Sequence, residues 1–257
     1  MSIFTRMPTA FVAGTAMAIT LLSASSARAD GMVPQTSVVI VNEADREASL
    51  NVTNSDKRAS LLLVTLVDID EDKEKLLRVE PLVSRVEAGK TQTVRFMLQA
   101  KTPLKTQRLK RVLIEGIPDR DPTAPGTMRI GIGVRQNLPV IIHPAGLPMK
   151  RDPWTLLTWS HANNKLTVRN DSAYVVRLAQ DVRLLPGTGQ AMLPRAYVLP
   201  GETITVDSKN GTGATKVKIS PATVYGYVTD AYETALATAP VATAPTPTLL
   251  PAPTTTR

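Results

Sequence analysis

Residues 127–148, T-M-R-I-G-I-G-V-R-Q-N-L-P-V-I-I-H-P-A-G-L-P, constrain the fold more than any other part of the chain. Ile130, Ile132 and Val134 alternate with Gly131 and Gly133. In an extended segment this places a row of apolar side chains on one face and almost nothing on the other. Such period-two alternation reads as a β-strand with one apolar face. Glycine weakens a strand, so two of them here imply that another backbone approaches closely. Pro139 removes a ladder donor, which fits an edge strand. Pro144-Ala-Gly-Leu-Pro148 is a stiff break of the kind that separates domains. A long edge strand with an apolar row invites pairing with another chain, and that property is itself a candidate function.

The first residues have the pattern of an export leader. Arg6 supplies a positive start, 10–22 form an apolar core too short to span a bilayer, and Ala27-Arg28-Ala29 fits a small-x-small cleavage site. The reading expects a signal peptide at 1–29 and a mature chain from Asp30. No later segment approaches the ~20 consecutive apolar residues of a membrane span, so no membrane insertion is expected. Cysteine is absent, which removes disulfides, thiolate metal sites and thiol nucleophiles together. Only two histidines, His143 and His161, are present, which excludes most histidine-rich metal sites. Loss of Arg6 and Arg28 with the leader lowers the net charge from +8 to +6. Export and scarce aromatic residues argue against nucleic acid as the partner. A basic surface that receives an acidic group or a terminal carboxylate fits better.

After the leader no helix-period segment of useful length occurs. Short Val-, Ile-, Leu- and Thr-rich runs recur between Gly, Pro, Asn and Asp. Strands are expected at 37–41, 48–53, 61–67, 76–79, 91–98, 112–117 and 127–142, which reads as a β-sandwich. A second series follows at 156–159, 165–169, 175–182, 191–198, 203–206, 215–219 and 224–228. The expected organisation is a domain at 30–144, a second at 145–235, and a disordered Ala/Pro/Thr-rich tail at 236–257.

No catalytic constellation assembles from the sequence. His143 reads as a packed histidine at the domain boundary, and His161 as an exposed residue in a polar turn. Gly187-Thr-Gly189 and Gly211-Thr-Gly213 lie outside any strand-to-helix setting, so they read as ordinary turns rather than phosphate loops. The acidic run 68–72 lacks the glycine and terminal glutamate of an EF-hand and reads as a solvated loop. Neither catalytic residues, a metal site nor a cofactor is expected.

Several segments in the right order resemble the periplasmic chaperones of chaperone–usher pilus assembly, over roughly residues 34–232. Thr36-Ser37-Val38-Val39 resembles the family's first strand. Pro81, Arg85, Gly89, Gln92 and Arg95 stand at the spacings of a family segment, the most specific match. Gln107-Arg108 with Ile117-Pro118, Val168 to Tyr174, Leu199-Pro200-Gly201 and Tyr225 to Asp230 continue the series. The resemblance implies an all-β protein: two immunoglobulin-like β-sandwich domains in tandem, set at an angle. It further implies a chaperone that binds pilus or surface-fibre subunits by donor-strand complementation and delivers them to an outer-membrane usher. Ile130, Ile132 and Val134 fall where the family places its donor side chains.

The departures from the family pattern matter. Its first-strand arginine and its long-strand lysine, which hold the subunit's terminal carboxylate, align with Ser37 and Pro139. Candidate replacements are Arg135 on the same strand and Arg108, Lys110 and Arg111 on the neighbouring one, since a carboxylate needs fixed N–H donors. The family's interdomain ion network is also lost, because His143 and Gly116 replace its arginine and glutamate, although Asp230 remains. A stand-alone exported structural or adhesion module is the alternative, and it predicts stable self-association with no subunit complex. A hydrolase would need paired acids in a polar cleft, which the sequence does not offer. Export is expected to remove the segment ending at Ala29. N-terminal sequencing of periplasmic protein checks this, and an uncleaved cytoplasmic product would contradict it.

Overall fold

The structure, a computed structural model, describes residues 31–118, 134–223, 226 and 229–237. The first domain contains β1 (Met32–Pro34), β2 (Val39–Asn42), β3 (Glu47–Asn54), β4 (Ser60–Asp68), β5 (Leu77–Glu80), β6 (Val83–Val86), β7 (Thr91–Leu98), β8 (Arg108–Pro118) and β9 (Arg135–His143). They form a four-stranded sheet in the order β1-β3-β7-β5 and a five-stranded sheet in the order β2-β9-β8-β4-β6. Alternation in the sequence becomes alternation in burial. Leu62 and Val64 of β4, Val94 and Phe96 of β7, Val112 and Ile114 of β8, and Val140 and Ile142 of β9 meet in one core.

The second domain follows a short 3₁₀ turn, Pro153–Leu156. It contains β10 (Thr158–Ala162), β11 (Lys165–Asn170), β12 (Val176–Leu178), β13 (Asp181–Leu185), β14 (Gly189–Met192), β15 (Tyr197–Val198), β16 (Glu202–Lys209), β17 (Lys216–Ile219), β18 (Pro221–Ala222) and β19 (Tyr232–Ala235). A seven-stranded sheet, β10-β11-β16-β14-β13-β17-β19, faces a small sheet, β15-β12-β18. The large sheet bends at the short β14–β16 pairing, because residues from both its halves, such as Trp159 and Leu184, share one core.

The structure departs from the sequence-based expectations in identifiable ways. The runs 175–182 and 191–198 each split into two strands belonging to different sheets. β1 and β6 were not expected, being three and four residues long. Residues 127–133 of the expected long strand lie outside the described residues, as do 1–30 and 238–257. His161 is not in an exposed turn. It sits half-buried in β10, with Nε2 2.8 Å from Ser208 Oγ.

The acidic run 68–72 is solvated only in part: Asp70 is exposed, whereas Asp68 and Asp72 are largely enclosed. Lys110 points inward from β8, is fully buried, and lies 3.1 Å from both Asp68 and Asp72. Its Nζ also donates to the Asp72 carbonyl at 2.8 Å. Arg108 forks onto Asp72 at 2.7 and 2.6 Å, and Lys75 pairs with Asp68. The ammonium stands where the sequence allowed a bound cation.

Burial alone would raise the Asp68 and Asp72 pKa values, but hydrogen bonds from Lys75, Arg108 and Lys110 outweigh it and hold both below the ordinary carboxylate value. Groups with depressed folded-state pKa values stabilise the fold above the unfolded value near ~3.9, and that contribution is lost as pH falls below it. Lys110→Met should therefore cost about 3 kcal/mol at neutral pH, since it leaves two buried carboxylates without their shared cation. Melting curves at pH 7 and pH 3 should show a smaller acid-induced loss in the variant than in the parent.

Candidate functional site

The site is built on β9. Along one side β9 pairs with β8 over all but its last residue, from Arg135 opposite Glu115 to Ile142 opposite Arg108. On the other side β2 covers only the second half, with Val39 opposite Val140 and Asn42 opposite His143. Among the described residues β9 is thus an open edge only up to Pro139, not along its full length. The cause lies upstream: β1 pairs with β3 in the other sheet, so 35–38 carry the chain across the sandwich before β2 can join β9. The unpaired edge faces a cleft of about 390 Å³ lined by Gln35, Thr36, Ser37, Val38, Gln136 and Leu138.

The apolar row changes surroundings along this strand. Ile142 and Val140 are core residues, and Leu138 packs partly against the same core. Gln136 is half-buried and donates from Nε2 to the Met32 carbonyl. Val134, next on the same face, is 49% exposed. Ile130 and Ile132 lie outside the described residues.

The four candidate anchoring cations have unequal settings. Arg135 is exposed and its Nε donates to Glu115 at 2.8 Å. Arg108 and Lys110 are engaged with Asp72, and Lys110 also with Asp68. Arg111 differs. Its Nε and Nη2 donate to the side-chain and main-chain oxygens of Asn137 at 2.6 and 3.0 Å, with no acidic partner among the described residues. Burial pushes its pKa below the ordinary value.

A further cation was not singled out from the sequence. Arg177 of β12 stands opposite Tyr197 of β15, and its buried Nη1 has no hydrogen-bond partner. Burial, and after it the positive charge of Arg111, push its pKa down. Val-Val-Arg-Leu reads as an ordinary strand, so no sequence signal marks it; only the approach of the two domains brings it near Arg111.

The domains meet through a third apolar cluster. Val38, Leu109 and Ile141 from the first domain pack with Val175 of the second, flanked by Ile40, Tyr197 and Leu199. A neutral relay replaces the lost ion network. Gln107 Oε1 accepts from Val175 N–H at 2.9 Å, and Gln107 Nε2 lies 2.9 Å from His143 Nδ1. His143 Nε2 lies 2.8 Å from the Leu147 carbonyl, so the hydrogen-bond network assigns the proton to Nε2 and leaves Nδ1 to accept.

Beside the relay, Glu71 binds Arg195 at 3.0 Å and accepts from the Tyr197 hydroxyl at 3.0 Å. Burial first, then Glu71, push the Tyr197 pKa up to about 12. Gly226, at φ +87°, lies so close to the first domain that a Cβ there would meet Ser37 Oγ at 2.4 Å.

This arrangement agrees with comparisons to known proteins. The family described as "Pili and flagellar-assembly chaperone, PapD N-terminal domain" matches residues 31–148, and "Pili assembly chaperone PapD, C-terminal domain" matches 152–232. The chain is 42% identical over 210 residues to the uncharacterized fimbrial chaperone YhcA of Escherichia coli K12, spanning 81% of this chain and 92% of that protein. Among solved structures, a chain of the Salmonella enterica SafA pilin–SafB chaperone complex superimposes with a TM-score of 0.66 at 18% identity, covering 81% of this chain and 98% of that one. The Pseudomonas aeruginosa CupB2 chaperone gives 0.63 at 21% identity, covering 80% and 100%.

The chain belongs to the family of PapD-like periplasmic pilus-assembly chaperones. It is a periplasmic chaperone for fimbrial subunits that are delivered to an outer-membrane usher. Gln107→Leu should lower stability by about 1–3 kcal/mol, because the Val175 amide and His143 Nδ1 lose their partners inside the domain interface. Urea denaturation of parent and variant measures this.

Proposed function

We propose that residues 130–139 are the donor segment of this chaperone, with Ile130, Ile132 and Val134 entering the groove of an incomplete fibre subunit. The observation that carries this reading is the half-exposure of Val134 on the face that, further along β9, is the domain's own core. An apolar row that leaves its own core beside an unpaired edge has both requirements for strand donation: main-chain groups to pair and side chains to bury. The glycines at 131 and 133 leave the opposite face bare, which lets a second backbone lie close.

The subunit's terminal carboxylate would be held at the end of this edge. Of the four cations raised by the sequence, Arg111 is the best suited, because the other three already have acidic partners. The leader ending at Ala29 and the division of the domains after Pro144 belong to the same reading. The subunit is one whose last strand is missing and whose chain ends in a free carboxylate.

Ile132→Asp should abolish capture of a co-expressed fibre subunit while leaving the isolated chaperone folded. Burial of an isoleucine is worth ~1.5–3 kcal/mol, and a carboxylate stranded in the same groove adds a larger penalty. Affinity co-purification gives the first readout and a thermal melt without subunit gives the second. A collapsed melt would place Ile132 in the chaperone's own core and remove the assignment.

A further inference from the structure

We propose that Gln107 and His143 form an acid-sensitive latch between the two domains: protonation of His143 breaks the hydrogen-bond chain that ends on the Val175 amide and releases the second domain from Gln107, while both cores stay intact. His143 lies outside the donor segment, so the latch stands apart from the donor-strand reading.

The direction of every bond in the chain is fixed from its two ends. At one end His143 Nε2 lies 2.8 Å from the Leu147 carbonyl, which can only accept. At the other, the Val175 N–H can only donate, so Gln107 turns Oε1 toward it at 2.9 Å. Gln107 Nε2 is then directed at His143 Nδ1, 2.9 Å away, and donates to it. Nδ1 accepts only while it carries no proton. One neutral tautomer of the ring completes the chain. Imidazolium, a donor at both nitrogens, does not.

An added proton cannot be accommodated by rearrangement in place. With Gln107 unmoved, two donors would face each other between Nε2 and Nδ1. If the amide turned over, Oε1 would meet the new Nδ1–H, but Nε2 would then face the Val175 N–H and the clash would move to the other end. Gln107, His143 and Val175 are all buried, so water reaches the orphaned donor only if the interface opens. Gln107 also holds the second domain a second time, since its own N–H donates to the Ala173 carbonyl at 2.8 Å. Its displacement therefore loosens 173–175 as a unit, and with it the packing of Val175 against Val38, Leu109 and Ile141.

The charged and titratable groups around the ring are engaged elsewhere. After β2, whose Asn42 stands opposite His143, Glu43 accepts from the Leu104 and Ala145 amides and Asp45 from Asn42 Nδ2. Next to Gln107, Arg108 forks onto Asp72. From the second domain, the Tyr174 hydroxyl donates to the Pro148 carbonyl. Both ring nitrogens are taken by neutral partners, so a cation formed there gains no ion pair in exchange for the bond it breaks.

The test uses the ¹⁵N-labelled mature protein at pH 7.5 and pH 5, conditions that bracket the range over which histidine changes charge. At pH 7.5, long-range ¹H–¹⁵N spectra should show His143 as the Nε2–H tautomer. An Nδ1–H tautomer or an imidazolium there would overturn the latch. On going to pH 5 the hydrogen-exchange protection factor of the Val175 amide, which is corrected for the intrinsic effect of pH, should fall at least about tenfold, as expected when one buried hydrogen bond is lost. Amides in the β3–β7 and β11–β16 ladders should keep their protection. His143→Asn retains an acceptor toward Gln107 and takes no proton, so its Val175 protection should be the same at both pH values. Gln107→Glu offers an acceptor to Val175 and a second one to imidazolium, so its Val175 protection should rise, not fall, at pH 5. Unchanged Val175 protection in the parent would overturn the latch. Equal acid sensitivity in the parent and His143→Asn would overturn it too, by assigning the effect to carboxylates elsewhere.

Discussion

β2 hydrogen-bonds to only half of β9, and the rest of the molecule is arranged around that incomplete pairing. Backbone N–H and C=O groups left unpaired on a strand edge need water or another strand. Here 35–38 cross from one sheet to the other and leave the edge before Val140 uncovered, beside an apolar row that is leaving its own core. The protein is therefore complete as a sandwich and incomplete as a sheet. A fibre subunit that lacks a strand has the opposite deficit. Pairing supplies each with what the other lacks.

Electrostatics divides the cations into two sets. Lys110 and Arg108 stabilise the first domain by neutralising Asp68 and Asp72, and Arg195 holds Glu71 of the same acidic segment against the second domain. The pairs on Asp68 and Asp72 are largely internal, so removing one partner leaves the other in an unfavourable interior, whereas Glu71 is an exposed residue. Arg111 and Arg177 have no acidic partner among the described residues, and Arg111 is held instead by the side-chain and main-chain oxygens of Asn137. The neutral Gln107–His143 relay allows the interface to persist without drawing on those two arginines.

Much of the strand content was legible because alternation and turn residues are local signals. The runs at 91–98 and 165–169 emerge as β7 and β11 almost unchanged, since each is bounded by residues that stop a strand. Splits within 175–182 and 191–198 were not legible. A strand that changes sheets keeps its apolar character, and only its new partner marks the break. The reading of 68–72 as solvated held for Asp70 and failed for Asp68 and Asp72, because acidic residues look alike in sequence whether they face water or a buried lysine on the neighbouring strand of the sheet.

The sequence by itself determined the all-β class, the tandem repeat of sandwiches, the absence of disulfides and the apolar row at Ile130, Ile132 and Val134, because period, composition and order along the chain are properties of neighbours. The tertiary structure decided which half of β9 pairs with β2, which cations are engaged by Asp68, Asp72, Glu71 and Glu115, and that Arg177 lies near Arg111. Those depend on residues separated by tens of positions and brought together only when two cores pack and a glycine at 226 lets the domains approach. A charge is a binding group or a structural one according to what stands beside it, and that neighbour is set by packing rather than by sequence.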